Sequence, residues 1–153
     1  MAIFGDSIKY KTAEEISIMR EAALIVSRTL GEVAKHMKPG ITPAFLDQMA
    51  EDFIRSQHAI PGFKGLYGCP STLLISVNEE VVHGLPTQRP IQSGDIVSVD
   101  CGSVYKGYYG DHAYTFEVGE VSDEKRKLCT VTKECLYLGI DACNTSNRIE
   151  DIG

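Results

Sequence analysis

"VSVDCGSVYKGYYGDHAYTF", from Val97 to Phe116, sets the fold. β-branched and aromatic residues flank a short Gly-containing turn, the signature of an antiparallel hairpin, and each arm carries an aspartate. Asp100 ends the apolar strand "IVSVD", and Asp111 stands where the chain returns. A turn centred on Tyr105-Lys106 sets the two aspartates directly opposite each other, with Cβ atoms ~5 Å apart. A turn centred on Lys106-Gly107 offsets them diagonally on the same face, and only an odd register, as in a bulged three-residue loop, separates them. Two carboxylates that close repel, and they are costly to desolvate unless one is protonated or a cation lies between them. A bridging divalent metal removes both penalties. The plainer reading has both side chains in solvent; against it stands the nearly apolar strand around Asp100, which reads as covered on both faces.

Upstream, "TLLISV" (Thr72 to Val77) reads as a buried strand, and "NEEVVHGLP" follows it with His83 just before Gly84 and Pro86. This makes His83 a loop residue aimed toward a cleft, although a single loop histidine is by itself an ordinary surface residue. Residues 61–70 are irregular and Gly-rich. Before them, Thr12 and Glu15 form a capping box for a long helix with the stripe Ile16, Met19, Ala23, Val26, Leu30, Val33 and Met37. Lys38-Pro39-Gly40 ends that helix. Thr42-Pro43 starts a second, with Phe45, Leu46, Met49, Phe53 and Ile54 as its buried side.

Downstream, Ser122 caps a third helix with an acidic first turn and the stripe Leu128, Val131, Cys135, Leu138 and Ala142. Asn147 and Glu150 then repeat the capping-box pattern, with Ile149 and Ile152 opening a new apolar face. Long helix, polar break, cap and second helix thus occur twice, the second time without strands behind them. The pattern predicts the N-terminal part of a longer, internally duplicated protein.

The chain has 153 residues, 43% of them hydrophobic, enough for one core. Its net charge of −6 and pI near 5.2 exclude a surface built to bind nucleic acid or an anionic membrane. The five cysteines lack C-x-x-C spacing and read as reduced, mostly buried thiols of a cytosolic protein. No apolar run has the ~20 residues of a bilayer span.

Together "SVNEEVVHGLP", "GDIVSVDCG" and "GYYGDHAYTFEVG" resemble the methionine aminopeptidases, most closely the bacterial type I enzymes. The match runs from Thr12 to Asn147, and its motifs are specific: N-E-x-V-x-H-G-x-P, an Asp on the next strand, and G-D eleven residues later. The resemblance implies an α+β pita-bread fold with pseudo-two-fold symmetry. Residues 1–153 would form the N-terminal half, plus the start of the second half, of one metallopeptidase catalytic domain, behind an extension at 1–11.

The resemblance further implies a site for two divalent metal ions (Mn, Fe or Co), with Asp100 and Asp111 as two of five protein ligands. The remaining His and two Glu ligands belong to the family's second half. His83 corresponds to the non-ligand histidine that contacts substrate near the scissile amide and steadies the tetrahedral intermediate. Phe63, Leu66, Cys69 and Leu74 correspond to positions lining the pocket for the methionine side chain. The implied activity is removal of the N-terminal methionine of nascent polypeptides by metal-hydroxide attack on the first peptide bond. A cytoplasmic, ribosome-proximal location goes with it, and no turnover by these residues alone. The competing readings are another pita-bread peptidase of the aminopeptidase P, prolidase or creatinase kind, which usually carries an extra N-terminal domain, and a non-catalytic binding module, which would lose the aspartates. Cys101, the tyrosines of the hairpin, and His36, His58 and His112 read as structural.

Overall fold

Helix α1 (Ala13–His36) begins at the Thr12 capping box: the Glu15 N–H donates to Thr12 Oγ1 at 3.2 Å, and the Thr12 N–H donates to Glu15 Oε2 at 2.7 Å. The computed structural model describes residues 9–153, so most of the extension at 1–11 lies outside the described residues. Helix α1 buries Ala22, Ile25, Val26, Thr29, Leu30 and Val33. The expected stripe is thus displaced in its first half, where Ile16 and Ala23 are exposed and Ala22 faces inward. The cause is the hairpin beneath. Ser103 Oγ donates to the Ala22 carbonyl at 3.0 Å, and a Cβ on Gly110 would sit 2.5 Å from the Ala22 carbonyl carbon.

Helix α2 (Pro43–Ser56) is capped by Thr42 and buries Leu46, Ala50, Glu51 and Ile54. Phe45, expected inside, is half exposed and leans on the His36 ring. The strands are β1 (Ile60–Pro61), β2 (Leu73–Val77), β3 (Ile96–Tyr105) and β4 (Tyr108–Glu117), all antiparallel. β1 and β2 pair with successive stretches of one edge of β3, and β4 covers its other edge. Helices α1 and α2 pack on the sheet, so that Ile25, Leu30, Leu46 and Ile54 meet Leu73, Ile75, Val97, Val99 and Cys101 in one core. This is an α+β arrangement.

The hairpin turn is Lys106-Gly107, with φ of 48° and 83°, the left-handed pair of a type I′ turn. Asp100 therefore faces Ala113, and Asp111 faces Gly102. The directly opposed register is corrected to the diagonal one, and Asp100 lies mid-strand, because β3 continues to Tyr105.

Helix α3 (Asp123–Ala142) is capped by Ser122 as expected, but none of its residues is buried, and Leu128, Val131 and Leu138 stand in solvent. Cys135 and Cys143 share that exposure, Cys69 and Cys129 are half-buried, and only Cys101 is buried, which corrects the expectation of mostly buried thiols. The expected Asn147 cap is also replaced. The Asn147 side-chain amide donates back to the Ala142 carbonyl at 3.0 Å, and the Arg148 N–H donates to Asp151 Oδ2 at the start of a short 3-10 turn, Ile149–Ile152. No described helix is long and apolar enough to cross a membrane.

Candidate metal centre

Alternation along β3 sends Val97, Val99, Cys101 and Ser103 toward the helices, leaving Ser98, Asp100 and Gly102 on the other face. Paired residues share a face, so this side also carries Ser76 and Leu74 from β2, and Asp111, Ala113 and Thr115 from β4. Ser98 Oγ and Thr115 Oγ1 lie 2.9 Å apart. The result is a polar strip with two aspartates at its centre.

The Asp100 carboxyl is raised above the usual carboxylate range, first by burial, then by the charge of Asp111 and a hydrogen bond shared with it. A bond from the Cys101 N–H and the nearby His83 pull the other way. Diagonal placement thus still brings the two carboxylates together. Asp111 is exposed, and on the strand expected to be covered on both faces Ser98 and Asp100 are half-buried, so that this side of the hairpin is partly open.

His83 stands in the segment that folds back on β2. Ile75 N donates to the Gly84 carbonyl at 2.7 Å, Gly84 N to Ser76 Oγ at 3.1 Å, and Val77 N to Glu80 Oε2 at 2.9 Å. A Cβ on Gly84 would lie 2.2 Å from the Ile75 oxygen, so only glycine lets the segment lie this flat. His83, next to this pin, takes a left-handed φ of 62° and is exposed.

Of the four pocket candidates, two reach the sheet face. Leu74 pairs with Asp100, and the Phe63 ring covers Gly102, where a Cβ would lie 2.7 Å from Phe63 Cε1. Leu66, in the 3-10 turn Leu66–Gly68, is exposed; Cys69 is half-buried with its Sγ 3.6 Å from the Ser71 carbonyl. Both belong to the loop between β1 and β2. Cys101 points into the core, where burial, followed by the charges of Asp100, Asp111 and Asp47, pushes its thiol up to about 12. It stays protonated at neutral pH and is no thiolate ligand. His36 bonds the Glu32 carbonyl, and His58 and His112 are exposed.

Sequence reasoning missed Ser76, Ser98 and Thr115 on the strip, and Asp47 beneath it. Asp47 Oδ1 accepts from the N–H groups of Thr72 at 2.9 Å and Leu73 at 2.7 Å. The available signal was the pair Asp47 and Glu51, one helical turn apart on the same side of α2 as Leu46, Ala50 and Ile54.

Among the described residues no group of three or more His, Cys, Asp or Glu could hold a metal ion. What Asp100 and Asp111 offer is a pair of carboxylates placed diagonally on one face of neighbouring strands, near enough for the charge of Asp111 to raise the Asp100 carboxyl. That donor chemistry fits part of the shell of a divalent cation, which would relieve their repulsion.

The sequence model of Metallopeptidase family M24 matches residues 17–153. A methionine aminopeptidase of Clostridium acetobutylicum is 49% identical over 143 residues, covering 93% of this chain and 57% of that protein. The crystal structure of a methionine aminopeptidase from Thermotoga maritima superposes with a TM-score of 0.84 at 41% identity, over 88% of this chain and 54% of that one. An Xaa-Pro dipeptidase from Bacillus anthracis superposes at 0.71 with 28% identity, over 84% of this chain and 35% of that one. The chain spans 57% of the length of the Clostridium relative. The common architecture is the α+β pita-bread fold, of which this chain supplies one part.

Proposed function

The chain belongs to metallopeptidase family M24, and we propose that it forms the aspartate-bearing part of a methionine aminopeptidase site. In this reading Asp100 and Asp111 hold two divalent ions, Mn, Fe or Co, together with ligands from outside these 153 residues. When bound, such ions supply water activation near neutral pH and Lewis acidity toward the scissile carbonyl. The observation that carries the reading is the aspartate pair, two carboxylates on neighbouring strands of an open face, near enough for one to raise the other's affinity for protons.

The other roles follow from position. Exposed His83, close enough for its charge to be felt at Asp100, supplies a hydrogen bond near the scissile amide. Phe63 and Leu74, beside the aspartates, form the floor of an apolar pocket for the methionine side chain, and the loop of Leu66 and Cys69 forms its wall. The substrate is the N-terminal methionine of nascent polypeptides, met in the cytoplasm near the ribosome. Higher identity and closer superposition favour the methionine aminopeptidases over the Xaa-Pro dipeptidase as the guide to substrate.

With two of the implied ligands present, the 153 residues alone give no turnover of a Met-Gly-type peptide with added Mn²⁺ or Co²⁺. Robust turnover would overturn the partial-site reading. Peptide titration by calorimetry tests the substrate class: binding of a Met-Gly-type peptide that requires Mn²⁺ and Asp111 supports it. Metal-independent binding, or preference for an Xaa-Pro peptide, contradicts it.

A further inference from the structure

The loop from Lys64 to Leu73 is suspended at both ends from α2. At one end Lys64 Nζ meets Glu51 Oε2 at 2.5 Å, and Glu51 is held in turn by Arg55 at 2.8 Å. At the other end Asp47 Oδ1 receives the N–H groups of Thr72 and Leu73. Asp47 and Glu51 are spaced to lie on the same side of the helix, one turn apart. Between the anchors, Tyr67 takes a left-handed φ of 49°, uncommon for a residue with a side chain, flanked by Gly65 and Gly68 at φ of 89° and 80°, which glycine adopts freely.

The Asp47 anchor bears on the site. Thr72 is fully buried, and its hydroxyl is the buried side-chain oxygen left without a hydrogen-bond partner among the described residues, so its side chain does not tether it by a bond of its own. Leu73 enters the core opposite Cys101, and the next residue, Leu74, pairs with Asp100 on the open face. Asp47 therefore sets where β2 begins, and with it the position of Leu74 beside the aspartate pair. A carboxylate receiving two backbone donors at a half-buried place, as Asp47 does, makes stronger bonds than a neutral acceptor.

We propose that Asp47 is a positioning residue of the substrate pocket: it touches no substrate, but through Thr72 and Leu73 it fixes the Lys64–Leu73 loop and so sets affinity for the N-terminal side chain. The pocket assignment rests on the function proposed above. The anchoring itself does not.

Cysteines already in the chain report on both. Cys69 lies in the loop, Cys101 is buried in the core, and Cys135 is exposed on α3. Iodoacetamide labelling of the whole chain, resolved by mass spectrometry, gives a rate for each thiol. Asp47→Asn is expected to raise the Cys69 rate about tenfold, equal to ~1.4 kcal/mol of loop closure and at the scale of a hydrogen bond to a charged group. Cys101 should stay unlabelled and Cys135 unchanged. Asp47→Glu, which keeps the charge, should recover part of the protection.

Free L-methionine with Mn²⁺ should slow Cys69 labelling in the wild type, and the half-protecting concentration should rise about tenfold in Asp47→Asn, the same closure free energy read as affinity. An unchanged Cys69 rate in Asp47→Asn, or one that rises only in step with Cys101, overturns the proposal, because Asp47 would then serve global stability alone. A selectively looser Cys69 with no protection by methionine in the wild type upholds the anchor and refutes the methionine pocket. Protection by methionine that is equal in wild type and variant upholds the pocket and refutes Asp47 as its positioning residue.

Discussion

Asp100 shows how a single residue couples charge, stability and chemistry. Burial and the neighbouring Asp111 make it hold its proton more tightly in the folded chain than in the unfolded one. The sign follows from linkage: when the folded-state pKa of a carboxyl is raised, stability is greatest below the unfolded value and falls as pH rises through the folded value. In metal-free protein Asp100 should therefore subtract stability on going from acid toward neutral pH through the window above the usual aspartate pKa of ~3.9, against the opposite contribution of Glu15, Glu51 and Asp95, whose carboxyls are held low. Asp100→Asn should remove that loss and raise the denaturant midpoint at pH 7, by ~0.5 kcal/mol after allowance for screening at a half-open site. Urea melts of both proteins at pH 4 and pH 7 check the difference. Mn²⁺ should reverse the ranking, stabilising the wild type by ~1.4 kcal/mol at ten times its dissociation constant and leaving Asp100→Asn unmoved, and a chelator should undo the gain. The aspartates themselves were legible in the sequence, as carboxylates in a β-branched and aromatic hairpin. Asp47 was legible only as a carboxylate paired with Glu51 on the apolar side of α2, because its partners, the N–H groups of Thr72 and Leu73, lie 25 and 26 residues further along the chain.

At the scale of elements, what the sequence revealed and what it hid divide along local and non-local lines. Caps depend on residues three apart, so Thr12, Thr42 and Ser122 start their helices as read. The register of the hairpin depends on whether Lys106 accepts a left-handed backbone, and composition does not decide that. Which row of α1 faces inward depends on a strand some 80 residues later in the chain, where Ser103 bonds to the Ala22 carbonyl. The contact at Gly110 gives this a measurable consequence. Gly110→Ala would drive its methyl against the Ala22 carbonyl, so α1 must shift, at a cost of ~1–3 kcal/mol in equilibrium unfolding. Thr12→Ala, which leaves the packing intact and removes the cap, should cost about 1 kcal/mol.

At the scale of the whole molecule, large apolar side chains left exposed gather on α3: Leu128, Leu136, Tyr137, Leu138 and Ile140. The stripe was readable from its spacing, but its burial was not, since periodicity tells which face is apolar and not whether anything covers it. Leu138→Ser should therefore change the stability of the chain by no more than ~0.5 kcal/mol, whereas Val99→Ala in the core should cost ~2 kcal/mol or more. A calorimetric titration of Mn²⁺ into the chain at pH 7, run on the wild type and on Asp111→Asn, tests the aspartate pair most directly. The wild type should bind, and the variant should not. Equal heats in both proteins, or no binding by the wild type, would contradict a metal site built on Asp100 and Asp111.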